Sequence, residues 1–281
     1  MRYFKIAIAL TALLIVVSCG SNKPVPTEIE FQTDFETAKT MAVESDMPMI
    51  IDFYTDWCKY CKKMDSVTFV DPTVIELSAD NIFVKINAEV DTLLAQKYNI
   101  NGFPTFVLTK PDGEEIDRLW GYWEPADFYN QIQLFHQGKE TLSDYLSRLE
   151  DEPDNLEYLF ILGDKYASRS NYTKALEFYN NILKLDNDNS QGFGAKAMES
   201  IYDAQARTKD FDAVIKTISE LISKYPGTEQ AENASARIGY YYEKSGDKVE
   251  AIKMYKGFIA SFPESDKVEW AKNRVTALEE N

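Results

Sequence analysis

Two cysteines that follow a short apolar segment constrain the fold of this chain more than any other feature. Residues 49–54 (Met-Ile-Ile-Asp-Phe-Tyr) have the composition of a buried strand, and Cys58 and Cys61 follow with two residues between them. If a helix begins at Cys58, free backbone N–H groups and the helix dipole stabilise its thiolate, and Cys61 lies one turn later. The spacing predicts a redox pair, with Cys58 attacking and Cys61 resolving.

The remaining composition argues against other uses of these thiols. The 281 residues contain three cysteines and one histidine, too few for a disulfide scaffold or a four-ligand zinc site, and no histidine lies nearby to act as a cysteine-protease base. We therefore expect no metal, and no cofactor besides the redox-active disulfide Cys58–Cys61. The formal net charge of −16 argues against nucleic acid as a partner.

The third cysteine closes an N-terminal segment typical of an export signal. Arg2 and Lys5 precede an apolar run, residues 6–17, which is shorter than the roughly 20 residues of a membrane-spanning helix. The residues Val16-Val17-Ser18-Cys19 resemble the lipobox of bacterial lipoproteins. This resemblance implies lipidation of Cys19 and a position in the bacterial cell envelope, facing the periplasm, on either the inner or the outer membrane. An ordinary signal peptide with a stray cysteine is the alternative.

Helical and strand patterns then alternate in the order of an α/β domain. We predict helices at residues 33–44, 58–66, 72–79, 90–98 and 125–137, and strands at 49–54, 82–87, 101–108 and 115–120. The tripeptide Pro111-Asp112-Gly113 predicts a tight turn between the last two strands.

Residues 46–136 resemble a thioredoxin-fold domain. The resemblance rests on the identity and spacing of Asp52-Phe53, Trp57-Cys58-x-x-Cys61, Lys85, Gly102-Phe103-Pro104-Thr105 and Gly121. The segment from Lys62 to Pro72 is most similar to the thioredoxin-like periplasmic domains of envelope disulfide-interchange proteins.

This resemblance implies roles for several further residues. Asp52 is expected to be a buried carboxylate beneath the cysteines, with Lys85 beside it, that assists deprotonation of the resolving thiol. Phe103 and Pro104, a cis-proline in this family, are expected to form a groove in which a partner strand pairs with the backbone, and Trp57 is expected to cover the thiols. A surface aspartate without a role and an ordinary edge-strand proline are the alternatives.

The two residues between the cysteines depart from ordinary thioredoxins, because Lys59-Tyr60 replaces Gly-Pro. A cation at Lys59 stabilises the Cys58 thiolate and makes the disulfide more oxidising, unless the side chain points into water. The sequence therefore leaves the direction of electron transfer open.

The second half of the chain repeats a helical unit. Ala175, Ala213 and Ala251 each lie near the start of an amphipathic helix and recur at intervals of 38 residues. With Gly163 and Gly239 twelve residues before two of them, this pattern resembles tetratricopeptide repeats, whose usual period is about 34 residues. Such helix pairs stack, and their groove is expected to bind a protein partner.

These observations predict an α/β thioredoxin fold followed by an all-α tetratricopeptide-like repeat domain. The predicted parts are a lipoprotein signal peptide (1–18), a tether (19–30), a thioredoxin-like domain (31–137), a connecting helix (138–154) and a repeat domain (155–281). We expect a lipid-anchored envelope oxidoreductase that reduces disulfides of exported proteins with electrons from a membrane donor. A disulfide oxidase or isomerase with the same site, or a non-enzymatic assembly lipoprotein acting through its repeats, is the alternative.

Overall fold

The computed structural model describes residues 26–280 of the chain. The predicted signal peptide, the lipidation site Cys19 and the first part of the tether lie outside the described residues. Within 26–280, no helix combines the length and the apolar character that crossing a bilayer requires.

A four-stranded sheet forms the centre of the N-terminal domain. Its strands are β1 (Met49–Tyr54), β2 (Ile82–Asn87), β3 (Thr105–Thr109) and β4 (Glu115–Trp120), in the spatial order β2-β1-β3-β4. Strand β1 is parallel to β2 and antiparallel to β3, and β3 is antiparallel to β4. The strand that leads to the cysteine pair therefore has a neighbour on each side.

Helices cover both faces of this sheet. They are α1 (Phe35–Ser45), α2 (Lys59–Lys63), α3 (Pro72–Glu76), α4 (Thr92–Lys97) and α5 (Pro125–His136). A π-helical turn at Met64–Thr68 continues α2, and a 3-10 turn at Leu77–Ala79 follows α3. Asp34, Asp71 and Asp91 each precede a helix and accept a hydrogen bond from a backbone N–H of its first turn, which explains why α1, α3 and α4 begin where they do.

Alternation along β1 decides which of its side chains enters which core. Met49, Ile51 and Phe53 pack with α1 and α4 on one face, whereas Ile50 packs with Met64, α3 and α5 on the other. Asp52 follows the alternation of Ile50, so its carboxylate lies on the face that Met64 covers. The strand thus carries one acidic side chain into an otherwise apolar layer.

The remaining described chain contains helices only. Helix α6 (Leu142–Asp151) is followed by three helix pairs and by a last helix, α13 (Val268–Glu279). The pairs are α7 (Leu156–Ala167) with α8 (Tyr172–Leu185), α9 (Phe193–Arg207) with α10 (Phe211–Lys224), and α11 (Glu229–Ser245) with α12 (Lys248–Ser261). In two of these pairs the helices approach each other closely at a glycine. A Cβ on Gly163 would lie 2.3 Å from the ring of Tyr179, and a Cβ on Gly239 would lie 2.7 Å from the ring of Tyr255. The predicted fold class, an α/β domain followed by helical repeats, is confirmed.

Buried charges join the two domains. Asp117 of β4 is fully buried, and its carboxylate accepts hydrogen bonds from Lys165 Nζ at 2.8 Å and from the Arg169 guanidinium at 2.7 Å. The adjacent Arg118 donates to the backbone carbonyl of Ser168 at 2.9 Å. A buried carboxylate with two cationic partners is compensated, whereas loss of a partner leaves a costly unpaired charge. These contacts therefore fix the position of the repeat helices on the sheet.

Candidate active site

The cysteine pair lies at the junction of strand and helix. Cys58 is the N-cap of α2, with extended backbone angles, and its sulfur accepts a hydrogen bond from the backbone N–H of Cys61 at 3.0 Å. The two sulfurs form a disulfide, and the two residues are 4% and 3% exposed. Exposure therefore does not distinguish them in the oxidised state; the position of Cys58 at the helix start does, since free backbone N–H groups favour a thiolate there.

Aromatic side chains surround the entrance to the pair. Trp57 is 67% exposed; its indole N–H donates to the Glu89 carboxylate at 2.9 Å, and its ring packs edge-on against Phe103 with centroids 5.9 Å apart. On the other side of the pair, Tyr60 is exposed, and its ring centroid lies 6.4 Å from that of Tyr122. Exposed aromatic surface of this kind suits contact with another polypeptide.

The loop before β3 supplies a free backbone edge. The Phe103–Pro104 peptide bond is cis, as the resemblance implies, and the Pro104 carbonyl accepts a hydrogen bond from the backbone N–H of Gly121 at 2.9 Å. Within residues 26–280, the backbone N–H and C=O of Phe103 make no hydrogen bond. Both groups are therefore available to a partner strand.

Asp52 lies in the middle of β1 and is 2% exposed. Lys85 is its direct neighbour in β2, with Nζ 3.9 Å from Asp52 Oδ2, and the other carboxylate oxygen has no hydrogen-bond partner in the described part of the chain. Burial raises the pKa of Asp52 to about 7, although the positive charge of Lys85 opposes the rise. Burial thus outweighs the cation, and this carboxylate exchanges its proton near neutral pH.

Asp65 is a part of the site that sequence reasoning did not identify. It lies on the π-helical turn and forms a close ion pair with Lys85, and its negative charge further raises the pKa of Asp52. Lys85 also lies over the rings of Phe31 and Tyr54, at 5.2 and 5.3 Å from their centroids. The one available signal was the position of Asp65 four residues after Cys61, since side chains at this spacing share a helix face.

Lys59 is the first residue of α2 and directly follows Cys58. The residue is exposed, and it forms no ion pair with any carboxylate in the described chain. The effect of Lys59 on the Cys58 thiolate stays a prediction.

The described residues also show no candidate metal centre. No group of three or more His, Cys, Asp and Glu side chains among residues 26–280 is arranged to hold a metal ion.

The fold and this site define a thioredoxin-like domain followed by an all-helical region that contains a tetratricopeptide repeat. Residues 35–136 match the family described as a thioredoxin-like domain, and residues 237–265 match the tetratricopeptide repeat family.

Relatives include proteins of thiol–disulfide exchange. The thiol:disulfide interchange protein DsbD of Yersinia pestis is 33% identical over 100 residues, which cover 33% of this chain and 17% of that protein. Chloroplastic thioredoxin Y1 of Arabidopsis thaliana is 38% identical over 119 residues, which cover 41% of this chain and 65% of the relative. A solved mutant thioredoxin from Halobacterium salinarum has 25% identity and a TM-score of 0.34, and the match covers 40% of this chain and 95% of that one. The chain thus spans less than a fifth of the length of DsbD.

Proposed function

We propose that this protein is a thiol–disulfide oxidoreductase of the bacterial cell envelope, anchored by lipid on Cys19, that reduces disulfides in exported proteins. The observation that carries the proposal is the Cys58–Cys61 disulfide at a helix start, on a strand whose buried Asp52 has a pKa of about 7. A redox pair needs a stabilised thiolate and a group that accepts a proton near neutral pH, and the site offers both.

The reaction begins with the reduced pair. The Cys58 thiolate attacks one sulfur of the partner's disulfide; that S–S bond breaks, a mixed disulfide forms, and the departing sulfur of the partner takes up a proton. Asp52 then accepts the proton of Cys61, and the Cys61 thiolate attacks the sulfur of Cys58. The bond between Cys58 and the partner breaks, and the second sulfur of the partner leaves and takes up a proton from water. The partner gains two electrons and two protons, and this protein is left with the Cys58–Cys61 disulfide.

The cycle is completed by a reductant outside this chain. A dithiol protein in the membrane, acting through the same exchange in reverse, restores the two thiols and forms its own disulfide. Lipid on Cys19 would keep the oxidised domain near such a donor, and the repeats provide a further surface for a protein partner.

A trapping experiment tests the exchange. In a Cys61→Ser variant the mixed disulfide cannot resolve, so partners should accumulate on Cys58 and be released by reductant; the Cys58→Ser variant is the matched control and should accumulate far fewer. Absence of covalent partners, together with normal cellular function of a double cysteine variant, would refute the enzyme and support a scaffold acting through the repeats.

Two measurements test the direction and the anchor. The reduction potential of the pair should lie below that of protein disulfide isomerase, about −180 mV; a value well above this would overturn the reductase assignment in favour of an oxidase. A Cys19→Ala variant should lose incorporation of labelled fatty acid and leave the membrane fraction, and unchanged incorporation would contradict the anchor.

A further inference from the structure

Two adjoining cavities run from the domain boundary along the repeat helices. The first, of about 640 Å³, lies between the domains and is lined by Asn101 and Trp120 of the thioredoxin-like domain and by Asp203 and Arg207 of α9. The second, of about 660 Å³, lies between α9 and α11. Asp203 and Arg207 line both cavities, so the two form one groove.

The near end of this groove is built from the loop that borders the cysteine pair. Asn101 is two residues before Phe103, whose ring contacts Trp57. The Asn101 carbonyl accepts a hydrogen bond from Arg207 at 3.2 Å, and its side-chain amide donates to the Ala167 carbonyl at 3.1 Å. A chain bound along the free backbone of Phe103 therefore lies beside the opening of the groove.

The far cavity is positively charged in a chain whose net charge is −16. Four cations, Arg207, Lys209, Arg237 and Lys244, line it together with one carboxylate, Asp203, which pairs with Arg237 at 3.0 Å. The other three cations are exposed and have no carboxylate within 4.0 Å among residues 26–280. Free cations in a groove attract a ligand with carboxylates, because such a ligand supplies the missing partners.

Aromatic rings complete this part of the groove. Phe211, Tyr240 and Tyr241 line the same cavity, and the ammonium of Lys244 lies 5.1 Å from the ring centroid of Tyr240. Of these rings Tyr240 is exposed, Phe211 is half-buried and Tyr241 is buried. Cations beside the exposed Tyr240 ring suit an extended polypeptide, which brings both carboxylates and apolar side chains.

A ligand can meet two binding regions: the surface beside Cys58 and Phe103, and the far cavity between α9 and α11. The domain interface holds these two regions at a fixed separation, because Asp117 and Arg118 bind the repeat helices directly. Once one region of a ligand is bound, the other is then held at a high effective concentration.

We propose that a single partner polypeptide occupies both regions: its disulfide meets Cys58, and an acidic segment of the same chain binds Arg207, Lys209 and Lys244. This inference rests on the proposed redox function and adds the chemical class of its substrate.

The test uses the full-length reduced protein and synthetic peptides that carry one cysteine as a mixed disulfide with 2-mercaptoethanol. A run of about four glutamates lies about four, eight or twelve residues from the cysteine, on either side, which spans roughly 13 to 40 Å of extended chain. Matched peptides carry glutamine instead. The measured quantity is the ratio of the second-order rate constant of single-turnover reduction for the glutamate peptide to that for the glutamine peptide, with hydroxyethyl disulfide as a small substrate that cannot reach the groove.

We expect a ratio of about three to ten with the spacer that fits, since each exposed charge pair contributes modestly, and a decline with added salt. The double variant Lys209→Gln/Lys244→Gln should bring the ratio close to one. The control Lys216→Gln/Lys272→Gln removes two exposed lysines outside the groove lining and should keep the ratio of the unmodified protein.

The possible failures are distinguishable. If the protein reduces hydroxyethyl disulfide but the ratio is near one with every spacer, or if the Lys209/Lys244 variant keeps the preference, the inference is refuted and the redox function stands. If no disulfide is reduced, the redox function itself fails, and the inference falls with it.

Discussion

Ionisation of Asp52 should destabilise the fold by an amount that follows from its burial. Its pKa rises from an ordinary 3.8 to about 7, because burial disfavours the charged carboxylate. A change of about 3 units at 1.36 kcal/mol per unit corresponds to roughly 4 kcal/mol. Because the folded pKa lies above the unfolded value, this cost is absent below pH 3.8, grows as the pH rises toward about 7, and is complete above it.

An Asp52→Asn variant keeps the shape of the side chain but removes its titration. The variant should gain stability over the original protein as the pH rises, and the difference in unfolding free energy should increase by roughly 2 to 3 kcal/mol between about pH 5 and about pH 8.5. Urea unfolding of the oxidised proteins measures this, followed by tryptophan fluorescence. Three of the four tryptophans, Trp57, Trp120 and Trp123, lie in the thioredoxin-like domain, so the signal reports mainly on it.

The control for loss of a negative charge is Glu44→Gln, since Glu44 is exposed on α1. This variant should show no such pH-dependent gain. The difference in unfolding free energy between the Asp52→Asn variant and the original protein must therefore change with pH. If it is the same at both pH values, Asp52 ionises at the same pH in the folded and unfolded chain, and Asp52 is not a proton acceptor near neutral pH.

Three further substitutions test other parts of the structure. Asp65→Asn should lower the pKa of Asp52, because it removes a neighbouring negative charge, so the loss of stability in the same urea experiment should move to lower pH; a move to higher pH would contradict this. Gly239→Ala should destabilise the repeats by about 1–3 kcal/mol through a clash with a tyrosine ring. Gly257 has open space around it, so Gly257→Ala should stabilise the repeats by about 0.5–1 kcal/mol. Thermal melting followed by circular dichroism compares the two variants, and equal effects on stability would contradict the packing described. Asp117→Asn should cost about 1–3 kcal/mol, because it leaves the partly buried Lys165 without its carboxylate and leaves Arg169 with Glu115 alone. It should also speed proteolysis between the domains, and an unchanged cleavage rate would contradict that role.

The sequence predicted the strand–cysteine–helix junction well because its signals are local. An apolar strand, two cysteines and a helix start lie within fifteen residues of chain, and each is favoured by its own composition. The helix predicted over 58–66 is instead α2 followed by a π-helical turn, closed by a hydrogen bond from the Phe69 N–H to the Met64 carbonyl. One extra residue in a helical turn barely changes the apolar pattern, so periodicity could not reveal it.

The charged contacts of the structure were not predictable in the same way. In the strand Glu115–Trp120, the acidic residue Asp117 fits a solvent-facing position, and its cationic partners lie about fifty residues later in another domain. Asp65 likewise resembles an ordinary exposed charge on a helix. A single sequence specifies such residues through their three-dimensional neighbours, which only the folded chain brings together.

The buried Asp117 also limits how these two domains can be recombined. If this thioredoxin-like domain were moved onto another repeat array, the Asp117 carboxylate would meet a surface without Lys165 and Arg169. The repeat helices of this chain, separated from the thioredoxin-like domain, would expose Lys165 and Arg169 without Asp117 as a partner. Compatibility between the two domains therefore depends on the residues of the interface and not on the linker. Among related proteins, we expect a substitution at Asp117 to be accompanied by substitutions at Lys165 and Arg169.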